Sequence, residues 1–322
     1  MHILILGGGG FLGQRLAKEL IIKGGLTQGE ITHLTVVDIS FPENKFQDSK
    51  IKYIKTDFSD ETAIREILQH QPDVIFHLAA IVSGEAEKNF DLGMKVNFQA
   101  SLQLLEICRK QAFHPRIIFA SSVGVFGGDV SKIITDETAP KPRSSYGTQK
   151  ALVELLINDY SRRGFVDARS LRLPTIAVRP GKPNAATSSF ISGIIREPLN
   201  GEKATYPVPP ETKFWIQSPK RVIQNFIHAA NIDEKTLGTD RIINLPGLTV
   251  SVQEMIKSLE QNSNPDVVKL VSYEPDDFLQ RILLTWPPHF NTERADQLGF
   301  VSDGSVGEII KSYIEEEGIL KG

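Results

Sequence analysis

The chain has 322 residues, of which 40% are hydrophobic and 23% charged, and its formal net charge is −3 at pH 7. This length suits two domains, or one large α/β domain with an appended lobe. A slightly acidic chain without basic clusters offers no surface for nucleic acid or for an anionic membrane, so we expect neither partner.

Cysteine content and hydropathy indicate the compartment. The single cysteine, Cys108, lies in an apolar helical pattern and cannot form an intramolecular disulfide. The apolar N-terminal run, His2–Leu6, is too short for a secretory leader, and no run approaches the roughly 18 residues that span a bilayer. These features predict a cytoplasmic protein.

In the first half of the chain, short apolar runs alternate with longer helical patterns, which is typical of βαβ units and a parallel sheet. The runs are dense in Ile, Val, Leu and Phe rather than alternating, as in strands that are covered on both faces. The predicted strands are His2–Leu6, Thr32–Val37, Ile51–Lys55, Asp73–His77, Arg116–Ala120 and Ala168–Leu173. The predicted helices between them are Phe11–Lys23, Glu61–Gln69, Asp91–Gln111 and Tyr146–Arg163.

After Leu173 the pattern changes to a proline-rich, loop-like region with few periodic patterns. Helical patterns return at Lys220–Ala230, Val252–Glu260 and Ser305–Glu317, and residues 241–244 resemble one more strand. We therefore predict a doubly wound α/β domain over residues 1–173 with a return segment at about 214–245. Residues 174–213 and 246–322 form the predicted smaller C-terminal substrate lobe.

The first predicted strand runs through Gly7-Gly8-Gly9-Gly10-Phe11-Leu12-Gly13 directly into a helical pattern. Its glycines fit GxxGxxG. Residues without a Cβ let the backbone approach a pyrophosphate, and the helix N-terminus presents free N–H groups to that anion. A flexible glycine turn is the alternative, but a position between a strand and a helix favours a dinucleotide site. The predicted cofactor contacts here are Gly7, Gly10, Phe11, Leu12 and Gly13.

Asp38 ends the second predicted strand, where an acid in a Rossmann-type domain holds the ribose hydroxyls. A carboxylate at this position would repel a 2′-phosphate, and the next Lys or Arg is Lys45. Asp38 therefore favours NAD over NADP, and residues 1–173 are predicted to be a Rossmann-type NAD-binding domain.

A YxxxK pattern, Tyr146 to Lys150, begins the last predicted helix of this half. Residues four apart share a helix face, and an ammonium beside a phenol stabilises the phenolate. Such a tyrosine can accept the proton of an alcohol while hydride leaves its carbon. The pattern is weak alone, but Ser122 follows the fifth predicted strand, where parallel sheets form their ligand crevice. We predict that Tyr146 is the general base and that Lys150 activates it and binds the nicotinamide ribose. Ser122 is predicted to orient the alcohol. A role as a turn or cap residue is the alternative for Ser122.

These motifs resemble the extended short-chain dehydrogenase/reductase family, the group that includes nucleotide-sugar epimerases. Further matching pieces are Asp57-Phe58, His77-Leu78-Ala79-Ala80 and Asn97. The resemblance implies that Asp57, Phe58 and Ala79 line the adenosine and ribose path, with Leu78 and Ala80 beside it. It also implies that Asn97 lies at the cofactor side, supporting the central helix and a proton relay. For His77 we favour a packed residue, and the scattered histidines predict no metal site.

The segments Ser83–Glu87 and Leu171–Phe190 are similar to those family members that oxidise the sugar acid D-erythronate. This likeness implies NAD-dependent oxidation of the 2-hydroxyl of a short sugar acid, with D-erythronate giving 2-oxo-D-erythronate. The carboxylate of such a substrate favours a nearby cation, and Arg179 and Lys182 follow the sixth predicted strand. Ser83, with Ser122 and Tyr146, would meet hydroxyls. A clamp on loop carbonyls is the alternative role for Arg179.

Two other functions remain open from the sequence: a nucleotide-sugar epimerase or reductase of the same family, and a non-catalytic NAD-binding sensor. A 4,6-dehydratase is disfavoured, since Ser121-Ser122-Val123 stands where that group usually has Thr-Asp-Glu. A dehydrogenase releases NADH at each turnover, an epimerase typically retains NAD, and a sensor shows no turnover. A homodimer is common in the family, although no interface can be identified from the sequence.

Overall fold

The computed structural model describes residues 1–128, 133–182 and 186–319. Its strands are β1 (His2–Leu6), β2 (Gly25–Leu26), β3 (Gly29–Glu30), β4 (His33–Asp38), β5 (Ile51–Lys55), β6 (Val74–His77), β7 (Arg116–Ser122), β8 (Asp167–Leu173), β9 (Thr175–Ile176), β10 (Ala204–Tyr206), β11 (Lys213–Gln217), β12 (Ile242–Asn244), β13 (Leu248–Ser251) and β14 (Val271–Tyr273).

The α-helices are α1 (Phe11–Lys23), α2 (Glu61–Leu68), α3 (Ser83–Lys88), α4 (Phe90–Gly93), α5 (Ala100–Lys110), α6 (Ser145–Arg162), α7 (Ser189–Leu199), α8 (Pro219–Asn231), α9 (Glu234–Leu237), α10 (Val252–Asn262), α11 (Asp277–Leu283), α12 (Glu293–Gln297) and α13 (Val306–Glu316). A π-helical turn, Met94–Gln99, joins α4 to α5, and 3₁₀ helices lie at Val123–Val125 and Pro265–Leu270. Among the described residues, no helix is both long enough and apolar enough to cross a membrane.

A seven-stranded sheet with the order β12-β8-β7-β6-β1-β4-β5 forms the framework of the first half of the chain. Strand β1 pairs in parallel with β4 on one side and β6 on the other, and the pairs β4–β5 and β6–β7 are also parallel. The chain thus winds outward from β1 in both directions. This confirms the predicted Rossmann-type doubly wound sheet. The carboxyl ends of β1 and β6 meet at the switch point where such sheets bind ligands.

The predicted strands of this sheet are confirmed, and burial explains the sequence pattern of the inner ones, whereas the edge strand β5 is only partly buried. All of β6, and all of β1 except its first residue, is buried. Strands covered by helices on both faces need no polar alternation. The predicted apolar helix face is confirmed as well, because Ala100, Leu104 and Ile107 lie in the core with Val96 packed against it.

One predicted helix differs in form. Where the sequence predicts a single helix over Asp91–Gln111, the structure has α4, the π-helical turn and α5 in succession. A π turn adds a residue to the turn and changes the direction of the side chains that follow. Asn97 lies in this turn and is 1% exposed.

The chain divides into two compact units. Unit 1 consists of Met1–Ser122, Ser145–Arg172 and Ile223–Ile243, and unit 2 of Val123–Ser144, Leu173–Val222 and Asn244–Gly322. Two segments therefore differ from the predicted boundaries, namely residues 123–144 and 214–222, which belong to unit 2. The reason is clear for β11, which pairs with β9 and β13 in a separate three-stranded sheet rather than joining the seven-stranded one.

Unit 2 contains a helix where the sequence indicated loops. Helix α7 buries Ile191, Ile194 and Ile195 in the core of this unit, and its polar Ser192 and Arg196 are buried too. A helix covered on most of its surface lacks the polar face that makes surface helices recognisable. Pro198, in its last turn, strengthened the expectation of a loop.

Candidate active site

The glycine loop lies between β1 and α1, and a Cβ would clash at four of its five glycines, Gly7, Gly8, Gly9 and Gly13. Gly7 has φ +82°, and a Cβ there would lie 2.5 Å from the Ala79 nitrogen, because the chain after β6 crosses directly over it. A Cβ on Gly13 would lie 2.5 Å from the Gly7 carbonyl oxygen. Close packing of α1 on the sheet therefore depends on both glycines.

Gly10 differs from its neighbours in this loop. It is exposed at the N-terminus of α1, and among the described residues a Cβ there would meet only the Gly7 carbonyl oxygen, at 3.6 Å. The first-turn N–H groups of a helix lack intrahelical partners and attract anions. An open cradle at a helix N-terminus fits the pyrophosphate of a dinucleotide. Phe11 and Leu12 follow in the first turn of α1 and are half-buried.

Asp38 ends β4 and contacts the same loop. Its carboxylate accepts hydrogen bonds from the N–H groups of Gly9 at 2.8 Å and Ser40 at 3.3 Å. A carboxylate offers about four acceptor positions, so these bonds leave capacity for ribose hydroxyls. Its negative charge beside the cradle disfavours a 2′-phosphate. The residues present therefore fit NAD.

Asp57 follows β5 and is half-exposed. Its carboxylate accepts hydrogen bonds from the Ser59 N–H at 2.8 Å and the Ser59 hydroxyl at 2.6 Å, and Lys95 Nζ lies 3.5 Å away. Although burial opposes ionisation, these hydrogen bonds and the lysine charge lower the pKa of Asp57. The carboxylate is thus ionised, and its hydrogen bonds to Ser59 stabilise the turn after β5. The Phe58 side chain is a core residue, which leaves its backbone as the part able to meet a cofactor.

Strand β6 ends in a buried histidine. His77 Nε2 lies 2.8 Å from the Ser101 hydroxyl, and its ring packs edge-on against Phe58 with the ring centroids 5.0 Å apart. Burial, aided by the positive charge of Lys150, lowers the pKa of His77 to about 3, so the ring is neutral. His77 packs in the interior, as we favoured. Leu78, Ala79 and Ala80, the predicted cofactor contacts, follow it and are half-buried.

Tyr146 and Lys150 lie one turn apart on α6. Lys150 Nζ is 5.6 Å from the centroid of the Tyr146 ring and 4.5 Å from that of Phe119, and it donates a hydrogen bond to the Ala120 carbonyl oxygen at 2.8 Å. Burial lowers the pKa of Lys150 to about 7, although Glu154 opposes the shift. Tyr146 itself is half-buried. A buried, hydrogen-bonded lysine amine therefore lies beneath a phenol that is partly exposed.

Ser122 is the last residue of β7, two residues beyond Ala120, and is half-buried. Since Ala120 is hydrogen-bonded to Lys150, the end of β7 is held against α6. Ser122 therefore lies two residues along β7 from the contact between this strand and Lys150, at the carboxyl end of the strand.

Asn97 connects the loop after β6 to helix α6 through hydrogen bonds. Its Oδ1 accepts a hydrogen bond from the Ile81 N–H at 2.7 Å, and its Nδ2 donates to the Ile81 carbonyl at 3.0 Å and to Gln149 Oε1 at 2.7 Å. These contacts tie the loop that leads to Ser83 to the helix of Tyr146 and Lys150. Nothing in the sequence marks Gln149 as a site residue apart from its place next to Lys150.

Ser83 begins α3 and is half-buried. The same helix carries Glu87, whose carboxylate accepts a hydrogen bond from the Ser145 N–H at 2.8 Å. An acceptor at a helix N-terminus stabilises the first turn, which here contains Tyr146. Helix α3 therefore links Ser83, a predicted substrate residue, to the N-terminus of α6. Sequence reasoning missed Glu87 because it is 58 residues from Ser145.

The two predicted cationic residues lie in unit 2. Arg179 is half-buried, and its N–H donates to the Ser192 hydroxyl at 3.0 Å while its carbonyl accepts from Arg196 Nη1 at 2.8 Å. Its backbone is thus held on both sides of the Cα. Lys182 is exposed and precedes residues 183–185, which lie outside the described residues.

Known proteins resemble this chain over its full length. The NAD dependent epimerase/dehydratase family matches residues 3–229. A D-erythronate dehydrogenase from Cupriavidus necator is 47% identical over 325 aligned residues, covering 100% of both chains. One from Haemophilus influenzae is 44% identical over 98% of this chain and 99% of its own. The solved structure of a nucleoside-diphosphate-sugar epimerase from Agrobacterium tumefaciens superimposes with a TM-score of 0.94 at 41% identity, covering 100% of this chain and 96% of that chain.

Proposed function

The chain belongs to the NAD-dependent epimerase/dehydratase family, and we propose that it is a dehydrogenase that oxidises the 2-hydroxyl of D-erythronate, with NAD, to 2-oxo-D-erythronate. Its membership confirms the resemblance deduced from the glycine loop and the Tyr146–Lys150 pair. The proposed substrate is supported by the 47% identity to a D-erythronate dehydrogenase over the whole of both chains, unit 2 included.

The glycine loop and its surroundings supply the proposed cofactor site. Gly10 and the N-terminus of α1 would receive the pyrophosphate, and Asp38 the adenosine ribose. Asp57, Phe58 and residues 78–80 would line the adenosine side, and Lys150 would meet the nicotinamide ribose. When bound, NAD accepts the hydride that leaves the substrate.

Tyr146 carries the proposed proton transfer. Its phenolate oxygen takes the proton of the 2-hydroxyl, and Ser122 donates a hydrogen bond to the same hydroxyl oxygen and so orients it. The ammonium of Lys150, 5.6 Å from the ring centroid, favours the phenolate form. General base catalysis of this kind contributes about 10²–10⁴-fold in rate.

Substrate binding needs a partner for the carboxylate of the sugar acid. Arg179 is the proposed partner because a guanidinium can hold both carboxylate oxygens and its backbone is fixed by Ser192 and Arg196. Lys182 adds a second cation in the same loop. Ser83 would accept or donate hydrogen bonds at the remaining hydroxyls, and Asn97 keeps its loop in place.

NADH formation by the purified protein tests the proposal. The substrates are D-erythronate, L-threonate, other short sugar acids and a UDP-hexose, each offered with NAD and then with NADP. We expect turnover with D-erythronate and NAD, and far slower reactions with the other substrates and with NADP. Absence of NADH from every sugar acid would overturn the assignment.

A nucleotide-sugar epimerase is the second candidate, favoured by the similarity to the Agrobacterium tumefaciens protein at 41% identity. Interconversion of a UDP-hexose with its epimer, by protein that retains NAD through purification, would support it. Binding of NAD without any turnover would instead indicate a sensor. As is common in the family, we also propose a homodimer, acting in the cytoplasm.

A further inference from the structure

Glu154 is a second buried charge on α6, one turn beyond Lys150, to which the proposed mechanism assigns no role. It is 1% exposed, and its carboxylate accepts hydrogen bonds from Arg172 Nε at 2.9 Å and Nη2 at 2.8 Å. The Ser121 hydroxyl donates a third, at 2.5 Å. Arg172 lies on β8 and Ser121 on β7, and both are buried.

Stability alone does not account for this ion pair. Removing two charges from water costs about as much free energy as their attraction returns, and apolar pairs of similar volume often serve a fold equally well. Losing one partner of such a pair, however, leaves an uncompensated charge in the interior. The placement of Glu154 beside the catalytic residues therefore calls for another explanation.

The hydrogen bonds of Glu154 and Lys150 set the position of β7 along α6. Two consecutive residues of β7 bond to two charged residues one turn apart on the helix, since Ala120 accepts from Lys150 and Ser121 donates to Glu154. Ser122 is the next residue of β7, and Tyr146 lies one turn before Lys150. These two bonds consequently determine where Ser122 lies relative to Tyr146.

Glu154 also supplies negative charge to the surroundings of Lys150. Among the described residues, the titratable groups near this ammonium include His77 on β6, which is neutral, and Tyr146 on α6. Arg172, on β8, is neutralised by Glu154. Without the carboxylate, the buried Lys150 ammonium would experience the positive charge of Arg172 in a medium of low dielectric.

We propose that Glu154, held by Arg172 and Ser121, is a positioning residue that sustains the charge of Lys150 and keeps Ser122 in register with Tyr146. The catalytic part rests on the proposed function, because it assumes that Tyr146, Lys150 and Ser122 act on an alcohol. The effect on Lys150 is a property of the protein itself and is measurable without substrate.

The first experiment follows Lys150 by NMR in protein labelled with ¹³C at the lysine ε-carbon. The variant Lys150→Met identifies its resonance. In Glu154→Gln we expect the titration midpoint of that resonance to fall by about one pH unit or more, since a neighbouring anion is lost. Glu106→Gln is the matched control, because Glu106 accepts a hydrogen bond from Tyr160 near the other end of α6. An unchanged midpoint in Glu154→Gln would overturn the electrostatic part.

The second experiment measures kinetics and thermal stability. We expect Ser121→Ala and Glu154→Gln to lower kcat by about 10- to 100-fold, since small misplacements of catalytic groups have effects of that size. KM for NAD should change much less than kcat, because the pyrophosphate cradle at Gly10 is untouched.

A double variant separates positioning from stability. Glu154→Leu with Arg172→Met leaves no unpaired charge, so its Tm should approach that of the wild type, while kcat stays low. Recovery of both Tm and kcat would show that the pair is purely structural. If the wild type oxidises no sugar acid, the proposed function fails, and the lysine titration still decides the role of Glu154.

Discussion

Lys150 and Tyr146 meet on the inner side of α6, where the lysine nitrogen lies 5.6 Å from the centre of the tyrosine ring. The lysine is fully buried and anchored to the Ala120 carbonyl, whereas the tyrosine is half-buried. The pair therefore combines a buried amine, fixed by a hydrogen bond to a strand carbonyl, with a phenol that is partly exposed.

Tyr146→Phe removes the proposed general base and keeps the ring. We expect kcat to fall by at least about 10²-fold, with the affinity for NAD within about twofold of wild type. Steady-state kinetics and calorimetric titration with NAD measure the two effects. Tyr160→Phe is the control, since it deletes a hydroxyl from the same helix that bonds to Glu106 and should leave kcat unchanged. A Tyr146→Phe enzyme with near-normal turnover would refute the role.

Lys150→Met should stabilise the protein in a pH-dependent way. The pKa of Lys150 is lowered from 10.5 to about 7, so between these values the unfolded chain holds a proton that the folded protein does not. The free energy of unfolding of the wild type therefore rises with pH through this window. Below pH 7 the folded protein bears the full free-energy cost of the buried charge.

The gain from Lys150→Met should consequently be largest at pH 6, on the order of a few kcal/mol, and smaller at pH 9. Urea unfolding at the two pH values measures it. Lys18→Met, at an exposed position of α1, should change the free energy of unfolding only slightly, and by the same amount at both pH values. Equal effects of Lys150→Met at pH 6 and pH 9 would contradict the lowered pKa.

Gly10→Ala and Gly13→Ala should separate cofactor binding from folding. Gly10 has φ −70° and ψ 166°, which any residue adopts, and a Cβ fits there, so we expect a nearly unchanged Tm. NAD affinity should nevertheless fall by about tenfold or more, because a methyl group would occupy the approach to the helix N-terminus.

At Gly13 a Cβ would lie 2.5 Å from backbone atoms of Gly7 and Gly8, so Gly13→Ala should destabilise the fold by about 1–3 kcal/mol. Thermal unfolding and NAD titration of both variants test the pair. Similar losses of Tm in the two variants would argue against an open cradle at Gly10.

Arg179→Met tests the carboxylate partner. If Arg179 holds the sugar acid, KM for D-erythronate should rise by about 10- to 100-fold, the usual effect of losing a charge-assisted hydrogen bond. Arg179→Lys should recover part of this loss, because it restores the charge without the planar fork. NAD affinity serves as the internal control. An unchanged KM would transfer the role to another cation, with Lys182→Met as the next variant.

Much of unit 1 was predictable because its signals are local. Strand β1 and helix α1 have their predicted bounds, since a continuous apolar run, a glycine loop and an amphipathic pattern each lie within a few residues. Helix α7 and the allocation of β11 were not predictable. The first is covered on most sides and lacks a polar face, and the second depends on pairing with β9 and β13.

The sequence by itself determined the doubly wound fold and the family, and it nominated the candidate site residues, because these depend on periodicity and short motifs. Only the tertiary structure decided which groups meet. Lys150 bonds to Ala120 across 30 residues, and Glu87 to Ser145 across 58. The i, i+4 spacing of Lys150 and Glu154 is visible in the sequence, but such a pair usually lies on a solvated helix face. Burial changes its meaning, because in the interior each charge must find a partner, and those partners come from strands that only folding brings to α6.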